Sequence, residues 1–140
     1  MILDASVVVK WFVLEDQHDE ARALLLVDEP LLAPDLLAIE VANVLRGKVR
    51  RGELDAAQAT RAIAAISGRG EPQLQGSIPL LRAAVDLAVR LERPVYDCLY
   101  VALAQERDDV LCTADRALAR IVRQHGVARV LLLGEAARLS

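Results

Sequence analysis

The sequence predicts an α/β protein, with a parallel sheet of about five strands enclosed between two layers of helices. Short runs rich in valine, isoleucine and leucine alternate with longer segments of helical periodicity, a pattern typical of parallel α/β architecture. The chain of 140 residues has the length of one domain, so we expect a single unit over residues 1–140. A content of 54% hydrophobic and 26% charged residues excludes a disordered chain.

The predicted strands are short, and each of the first four is followed by a helical pattern. The five strands are predicted at residues 1–4, 31–33, 73–75, 110–112 and 129–132. Helices are predicted over residues 6–13, 18–28, 35–51, 55–67, 78–91, 96–106 and 115–124. Boundary residues support this division, because Pro34 suits a first helical turn, Asp55 suits an N-cap and Gly126 suits the position that ends a helix.

Composition also indicates the cellular compartment and the kinds of partner that the protein can bind. No apolar run approaches the ~20 residues of a membrane-spanning helix, and Asp4 interrupts the place of a secretory signal, so we expect a cytoplasmic protein that does not contact membranes. Cys98 and Cys112 lack CxxC spacing and are predicted to be reduced core thiols. The net charge of -3 argues against a protein that binds along nucleic acid through overall positive charge. A nucleic-acid substrate would need a local basic patch or metal ions.

Four acidic residues fall where this architecture gathers functional side chains. In an open parallel sheet, strand carboxyl ends and the following helix N-termini lie along one edge, where ligands bind. Asp4 ends the first strand and Asp115 directly follows the fourth, while Asp97 lies near the start of an apolar helix. Glu40 lies about two turns into the helix that follows the second strand. We therefore expect the four carboxylates at one edge.

Taken singly, most of these acids have a simpler interpretation. Asp35, Asp55, Asp97 and Asp115 each suit a helix cap or first turn, where a carboxylate favours the helix dipole. Glu40 lies too deep in its helix to cap it, and a buried carboxylate needs a cation nearby. Arg116 alone would not balance four carboxylates, whereas a divalent ion would. Oxygen ligands without a His or Cys cluster favour Mg²⁺ or Mn²⁺ over zinc, and such a site suits phosphodiester hydrolysis by water.

Four segments together resemble a known family. They read ILDASVVVKWF, APDLLAIEVANVLRGKVRRGEL, RPVYDCLYVALAQE and CTADRAL. In this order and spacing the chain resembles a PIN domain of the VapC toxin type, from Met1 to about Arg129. The combination is specific, because a lone aspartate after a strand would mean little.

The resemblance implies a metal-dependent endoribonuclease, the toxin of a toxin–antitoxin pair, with a three-layer α/β/α PIN fold. It implies an acidic pocket of Asp4, Glu40, Asp97 and Asp115 that binds Mg²⁺ or Mn²⁺, supported by Ser6, Thr113 and Arg116. RNA is the implied substrate, a cognate antitoxin the partner, and a homodimer the expected assembly. Many relatives carry another acid where this chain has Ala117. We therefore expect one tightly bound ion, and a two-ion mechanism stays open.

The basic run on the Glu40 helix offers an RNA contact. Arg46, Arg50 and Arg51 are predicted to bind phosphates, although cations also suit the end of a helix without any ligand. Two other classes stay open beside the nuclease. One is a different doubly wound, magnesium-dependent phosphohydrolase or phosphoreceiver, and the other is an inactive PIN-like binding module. An RNA assay with and without chelator distinguishes the three.

Overall fold

The computed structural model, which describes residues 1–68 and 70–136, contains a five-stranded parallel sheet between helical layers. The strands are β1 (Ile2–Leu3), β2 (Leu32–Pro34), β3 (Gln73–Gln75), β4 (Leu111–Thr113) and β5 (Val130–Leu132), in the spatial order β3-β2-β1-β4-β5. Every neighbouring pair is parallel. The predicted fold class and all five predicted strands are therefore confirmed.

The helices follow the predicted order, with 3-10 turns at several ends. They are α1 (Ala5–Val8), α2 (His18–Ala23), α3 (Leu36–Arg50), α4 (Ala56–Ser67), α5 (Leu81–Leu91), α6 (Val95–Arg107), α7 (Arg116–His125) and α8 (Leu133–Ala136). The 3-10 segments are Val9–Trp11, Leu24–Leu26 and Ile78–Leu80, which continue or precede α-helices where one continuous helix was predicted. The short α8 was not predicted.

The central strand β1 places the site at the middle of the sheet. Ile2 pairs with Leu32 on one side and with Leu111 on the other, and the side chains of Ile2 and Leu3 are fully buried. A strand covered on both faces is apolar throughout, which explains why both of its residues are large aliphatic side chains. Asp4, the next residue, is a buried polar side chain directly at the end of this strand.

One predicted boundary is wrong, and a distant residue explains the difference. Pro34 is the last residue of β2 rather than part of a helix, and α3 begins at Leu36. Asp35 occupies the N-cap position but its carboxylate accepts hydrogen bonds from Ser77, at 3.2 Å from the amide and 2.6 Å from the hydroxyl. The Ser77 hydroxyl instead accepts the Leu36 amide at 3.1 Å. The start of α3 is thus capped from the segment that follows β3.

Other predictions at helix ends and in the core are confirmed. Asp55 and Gln58 form a reciprocal capping box at the start of α4, with N–H to oxygen distances of 2.7 and 2.9 Å. Gly126 ends α7 with a φ of 61°, a left-handed conformation that favours glycine. Cys98 and Cys112 are buried free thiols. Of the helices that the structure describes, none has the length and apolarity needed to cross a membrane.

Candidate active site

The edge at the carboxyl ends of β1 and β4 carries the predicted acidic residues. Asp4 directly follows β1, and Asp115 lies two residues beyond the end of β4. Glu40 comes from the second turn of α3 and Asp97 from the first turn of α6. Four separate elements therefore supply the four acids.

Asp4 is held by two hydroxyl groups at the base of the site. Its side chain is 6% exposed, and its carboxylate accepts hydrogen bonds from Ser6 and from Thr113, both at 2.5 Å. Those hydroxyls in turn accept backbone amides, Ser6 from Ala114 and Thr113 from Asp115, both at 3.0 Å. The two predicted supporting residues thus connect β1 to the turn after β4 and fix the orientation of Asp4.

Asp115 is both a helix cap and a member of the acidic set. Its Oδ1 accepts the Leu118 amide at 3.0 Å and so caps α7, as one of the two interpretations expected. Its Oδ2 lies 3.2 Å from Nη2 of Arg93, and the same nitrogen lies 3.0 Å from Oδ2 of Asp97. The Asp115 carboxylate therefore caps α7 with one oxygen and belongs to the acidic set with the other. Arg93 links it to Asp97.

Glu40 is bound by a neighbouring helix. Tyr100 of α6 donates a short hydrogen bond to Oε1 of Glu40, and Tyr100 itself is buried. Partial burial of Glu40 raises its pKa more than the Tyr100 hydrogen bond lowers it, and the charge of Asp97 raises it further. A glutamate in the apolar run LLAIEVANVL is thus explained by a partner on another helix rather than by capping.

Like-charge repulsion connects the acids into one electrostatic unit. Burial raises the pKa of Asp4 to about 6, with Asp115 adding to the rise, while the hydroxyls of Ser6 and Thr113 oppose it. The pKa of Asp97 is also raised by burial. The charge and hydrogen bond of Arg93 oppose this rise, and the negative charge of Asp115 adds to it. The chain of neighbours runs from Asp4 through Asp115 and Asp97 to Glu40. Groups perturbed in this way are typical of functional sites.

These four acids do not form a ready-made metal cage. Over residues 1–68 and 70–136, no three His, Cys, Asp or Glu side chains are placed closely enough to hold an ion together. Their oxygens are directed instead to separate partners: hydroxyls for Asp4, Tyr100 for Glu40 and Arg93 for the other two. The arginine in contact with the acids is Arg93, which the sequence did not single out. Arg116 is exposed and borders a different cleft.

A family model described as the PIN domain matches residues 1–124 of this chain. The chain belongs to the PIN-domain family. This PIN domain is 32% identical over 120 residues to Ribonuclease VapC3 of Pyrobaculum aerophilum, covering 85% of this chain and 92% of that protein. The identity places it with the VapC proteins, as the four sequence segments predict.

Two solved structures share the fold of this PIN domain. PAE2754 from Pyrobaculum aerophilum superimposes with a TM-score of 0.74 at 22% identity, covering 99% of this chain and 86% of that one. VapC20 of Mycobacterium tuberculosis, described as a toxin that cleaves the sarcin-ricin loop, has a TM-score of 0.68 at 17% identity. It covers 85% of this chain and 92% of the other. At these identities the likeness supports the three-layer fold.

A cleft of about 400 Å³ opens beside the acids of this PIN domain. Ser6 and Asp115 line one part of it, and Lys10, Lys48 and Glu15 line another. Both lysines contact the Glu15 carboxylate, with Nζ to oxygen distances of 3.3 Å for Lys10 and 2.9 Å for Lys48. Lys48 lies on α3 between Arg46 and Arg50, and the sequence did not connect it with Lys10. Lys10 and Lys48 are 38 positions apart in the chain, and only the fold brings both of them to Glu15.

The predicted RNA-binding arginines lie farther along α3. Arg46 and Arg50 are exposed, and Arg51 forms an ion pair with Glu53 at 3.4 Å. None of the three lines the cleft beside the acids in the described part of the chain. Their role as phosphate contacts stays a prediction.

The raised pKa of Asp4 predicts how stability depends on pH when no metal is bound. The folded-state value of about 6 exceeds the ordinary value of 3.8, so the contribution of Asp4 is most favourable below pH 4 and is lost as the pH rises through 6. Asp4→Asn removes this loss. In chelator, the stability of Asp4→Asn relative to wild type should increase between pH 4 and pH 8, on the order of 3 kcal/mol.

Urea unfolding at both pH values measures this change. Asp86→Asn, which removes a negative charge from an exposed position on α5, is the matched control. A relative stability of Asp4→Asn that stays constant with pH, or that changes no more than in the control, would contradict the assignment.

Proposed function

We propose that this PIN domain is a metal-dependent endoribonuclease that acts as the toxin of a toxin–antitoxin pair. The observation that carries the proposal is that four acids from four elements lie along one edge of the sheet, with raised pKa values at three of them. The VapC relative named a ribonuclease supports the RNA substrate. The buried, reduced thiols suit the cytoplasm, where we propose the protein acts.

The donor set suits a hard divalent cation, Mg²⁺ or Mn²⁺. Asp4, Glu40, Asp97 and Asp115 would supply carboxylate oxygens, which such ions prefer, and their mutual repulsion would be relieved by positive charge. When bound, the ion would neutralise phosphate charge and make a coordinated water a better nucleophile.

The chain's own residues orient the site, and its two thiols are poor candidates for a nucleophile. Ser6 and Thr113 hold the Asp4 carboxylate, and Tyr100 holds Glu40, so the acids meet a substrate in fixed orientations. Burial raises the pKa of Cys98 to about 11 and that of Cys112 to about 12, so both thiols stay protonated and cannot serve as nucleophiles. Water is therefore the attacking group that we propose.

RNA cleavage tests the proposed function directly. Asp4→Ala, Glu40→Gln, Asp97→Asn and Asp115→Asn should each lower cleavage of a fluorescent RNA by about a hundredfold or more, because each removes an oxygen donor from the charged site. Chelator should abolish cleavage by the wild type, and added Mn²⁺ should restore it. The exposed variant Asp86→Asn should cleave at the wild-type rate.

The other outcomes separate the alternatives. Wild-type cleavage by a folded Asp97→Asn protein would contradict the assignment of the acids. Hydrolysis of a phosphomonoester without RNA cleavage would favour another doubly wound phosphohydrolase. A folded wild type without either activity would favour an inactive binding module.

The cleft beside the acids offers a path for the RNA backbone. Lys10 and Lys48 have side chains only 14% and 12% exposed, and they converge on Glu15 next to Ser6 and Asp115. Hydrogen bonds and charge from Lys48 and Lys10 outweigh partial burial and lower the pKa of Glu15, so that carboxylate stays ionised between them. We propose that RNA phosphates bind these lysines as they approach the acids. The exposed arginines of α3 would extend the path.

Replacing Lys10 and Lys48 together by Gln should weaken RNA binding and lower its salt dependence by roughly 1.4 in the log–log slope, about 0.7 for each lost phosphate contact. Replacing Arg46, Arg50 and Arg51 together should have a smaller effect, because they lie outside the cleft. Fluorescence anisotropy at several salt concentrations measures both. Arg82→Gln with Arg90→Gln, at exposed positions on α5, is the charge-matched control. Equal slopes for the lysine and control variants would contradict the proposal.

A second cleft supports an antitoxin partner. It has a volume of about 510 Å³, is bordered by Trp11, Leu14 and Leu54, and shares Glu15 and Lys48 with the cleft beside the acids. Leu14 is strongly exposed. A peptide bound there by apolar contacts could extend an arginine to the carboxylates, which already accept one guanidinium from Arg93. We propose that the antitoxin inhibits in this way.

An exposed apolar stripe supports a homodimer. Four exposed apolar side chains recur at helical spacing along the 3-10 turn and α5. They are Ile78, Leu81, Val85 and Val89. A neutral stripe can pack against its own copy about a twofold axis, so we propose it as the dimer interface.

Light scattering tests the homodimer. Wild-type protein should have twice the 15.3 kDa mass of the chain, and Val89→Glu should be a monomer because it buries a charge in the interface. Leu26→Glu, at another exposed leucine, should remain dimeric. A monomeric wild type at high micromolar concentration would contradict the proposed assembly.

A further inference from the structure

Arg93 is fixed at the acidic site by the turn between α5 and α6. Glu92 ends α5 in a left-handed conformation with a φ of 53°, and Pro94 provides the N-cap of α6. The amide of Arg93 donates to the carbonyl of Ala88 at 3.2 Å. The backbone on both sides is thus restricted, and Asp97 follows one helical turn later, within reach of the guanidinium.

The guanidinium contacts two carboxylates through one terminal nitrogen. Its Nη2 lies 3.0 Å from Oδ2 of Asp97 and 3.2 Å from Oδ2 of Asp115, and the side chain is 19% exposed. Its Nε is buried and has no hydrogen-bond partner in the described part of the chain. Leaving a buried donor unpaired is unfavourable. The two ion pairs therefore account for this position.

Arg93 also sets the charge balance of the site. The described ion pairs bring one cation to the four acids, and it is Arg93, while Asp4 and Glu40 meet neutral hydroxyls. With this guanidinium in place, one divalent ion leaves the site slightly negative. A second ion would make it positive before substrate binds, and would compete with Arg93 for Asp97 and Asp115.

We propose that Arg93 is an internal counter-ion that competes with the divalent cation for Asp97 and Asp115, weakening metal binding and limiting the site to one ion. This inference rests on the proposed metal-dependent function. It makes Arg93 a positioning residue that holds two acids in place when the ion is absent. Its removal leaves those acids free for the metal.

Calorimetric titration of Mn²⁺ into chelator-treated and dialysed protein tests the inference. Arg93→Gln should bind Mn²⁺ at least about tenfold more tightly than wild type, because a positive charge next to the ion is removed. Arg93→Lys, which keeps the charge, should stay within about threefold of wild type. Arg90→Gln removes a positive charge from an exposed position of the same helix and should leave the affinity unchanged.

Unchanged or weaker Mn²⁺ binding by folded Arg93→Gln would overturn the inference. Arg93→Met keeps the aliphatic stem of the side chain, so the same tightening is expected there and decides the question if the Gln variant does not fold. A wild type that binds Mn²⁺ and cleaves RNA, with no tightening in either variant, contradicts the role of Arg93 alone. A wild type that neither binds Mn²⁺ nor cleaves RNA contradicts the proposed function as well.

Discussion

The burial of the Asp4 carboxyl at the end of the central strand is the constraint on which the remainder of the site depends. A nearly inaccessible carboxylate is unfavourable unless hydrogen bonds compensate it, and here two hydroxyls do so. Those hydroxyls also accept amides of the turn after β4, so the compensation of one charge fixes the backbone that presents Asp115. The compensation is incomplete, because burial still raises the pKa of Asp4 to about 6. The fold thus keeps an electrostatic cost at the place where a cation would relieve it.

The three remaining acids are bound by two donors of different kinds. Tyr100 provides a neutral hydroxyl to Glu40, and Arg93 provides a charge shared between Asp97 and Asp115. Each acid is thus directed to a partner, which explains why, in the described part of the chain, neighbouring acids raise one another's pKa without forming a cage. This arrangement also suits a protein whose activity must be inhibited by a partner, since carboxylates that accept one guanidinium can accept another.

Much of the fold and the identity of the acids could be predicted from the sequence, because both depend on local patterns. Apolar runs bounded by turns locate the strands, and Glu40 stands out as a charge within an apolar helix. What could not be predicted depends on contacts between distant residues. Ser77 rather than Asp35 caps α3, because the segment after β3 passes the start of that helix. Arg93 lies within one of the four family segments, but its contact with Asp115 depends on a distant part of the chain and could not be read from that segment.

Anomalous diffraction from crystals grown with Mn²⁺ shows whether these carboxylates form one metal-binding site. Data collected on both sides of the manganese absorption edge locate the ion without reference to activity. We expect one strong peak per chain within coordination distance of Asp4 and of at least one more of the four acids, with oxygen ligands throughout. A manganese peak elsewhere, or none at this edge of the sheet in saturating Mn²⁺, would show that the four acids are not a metal site.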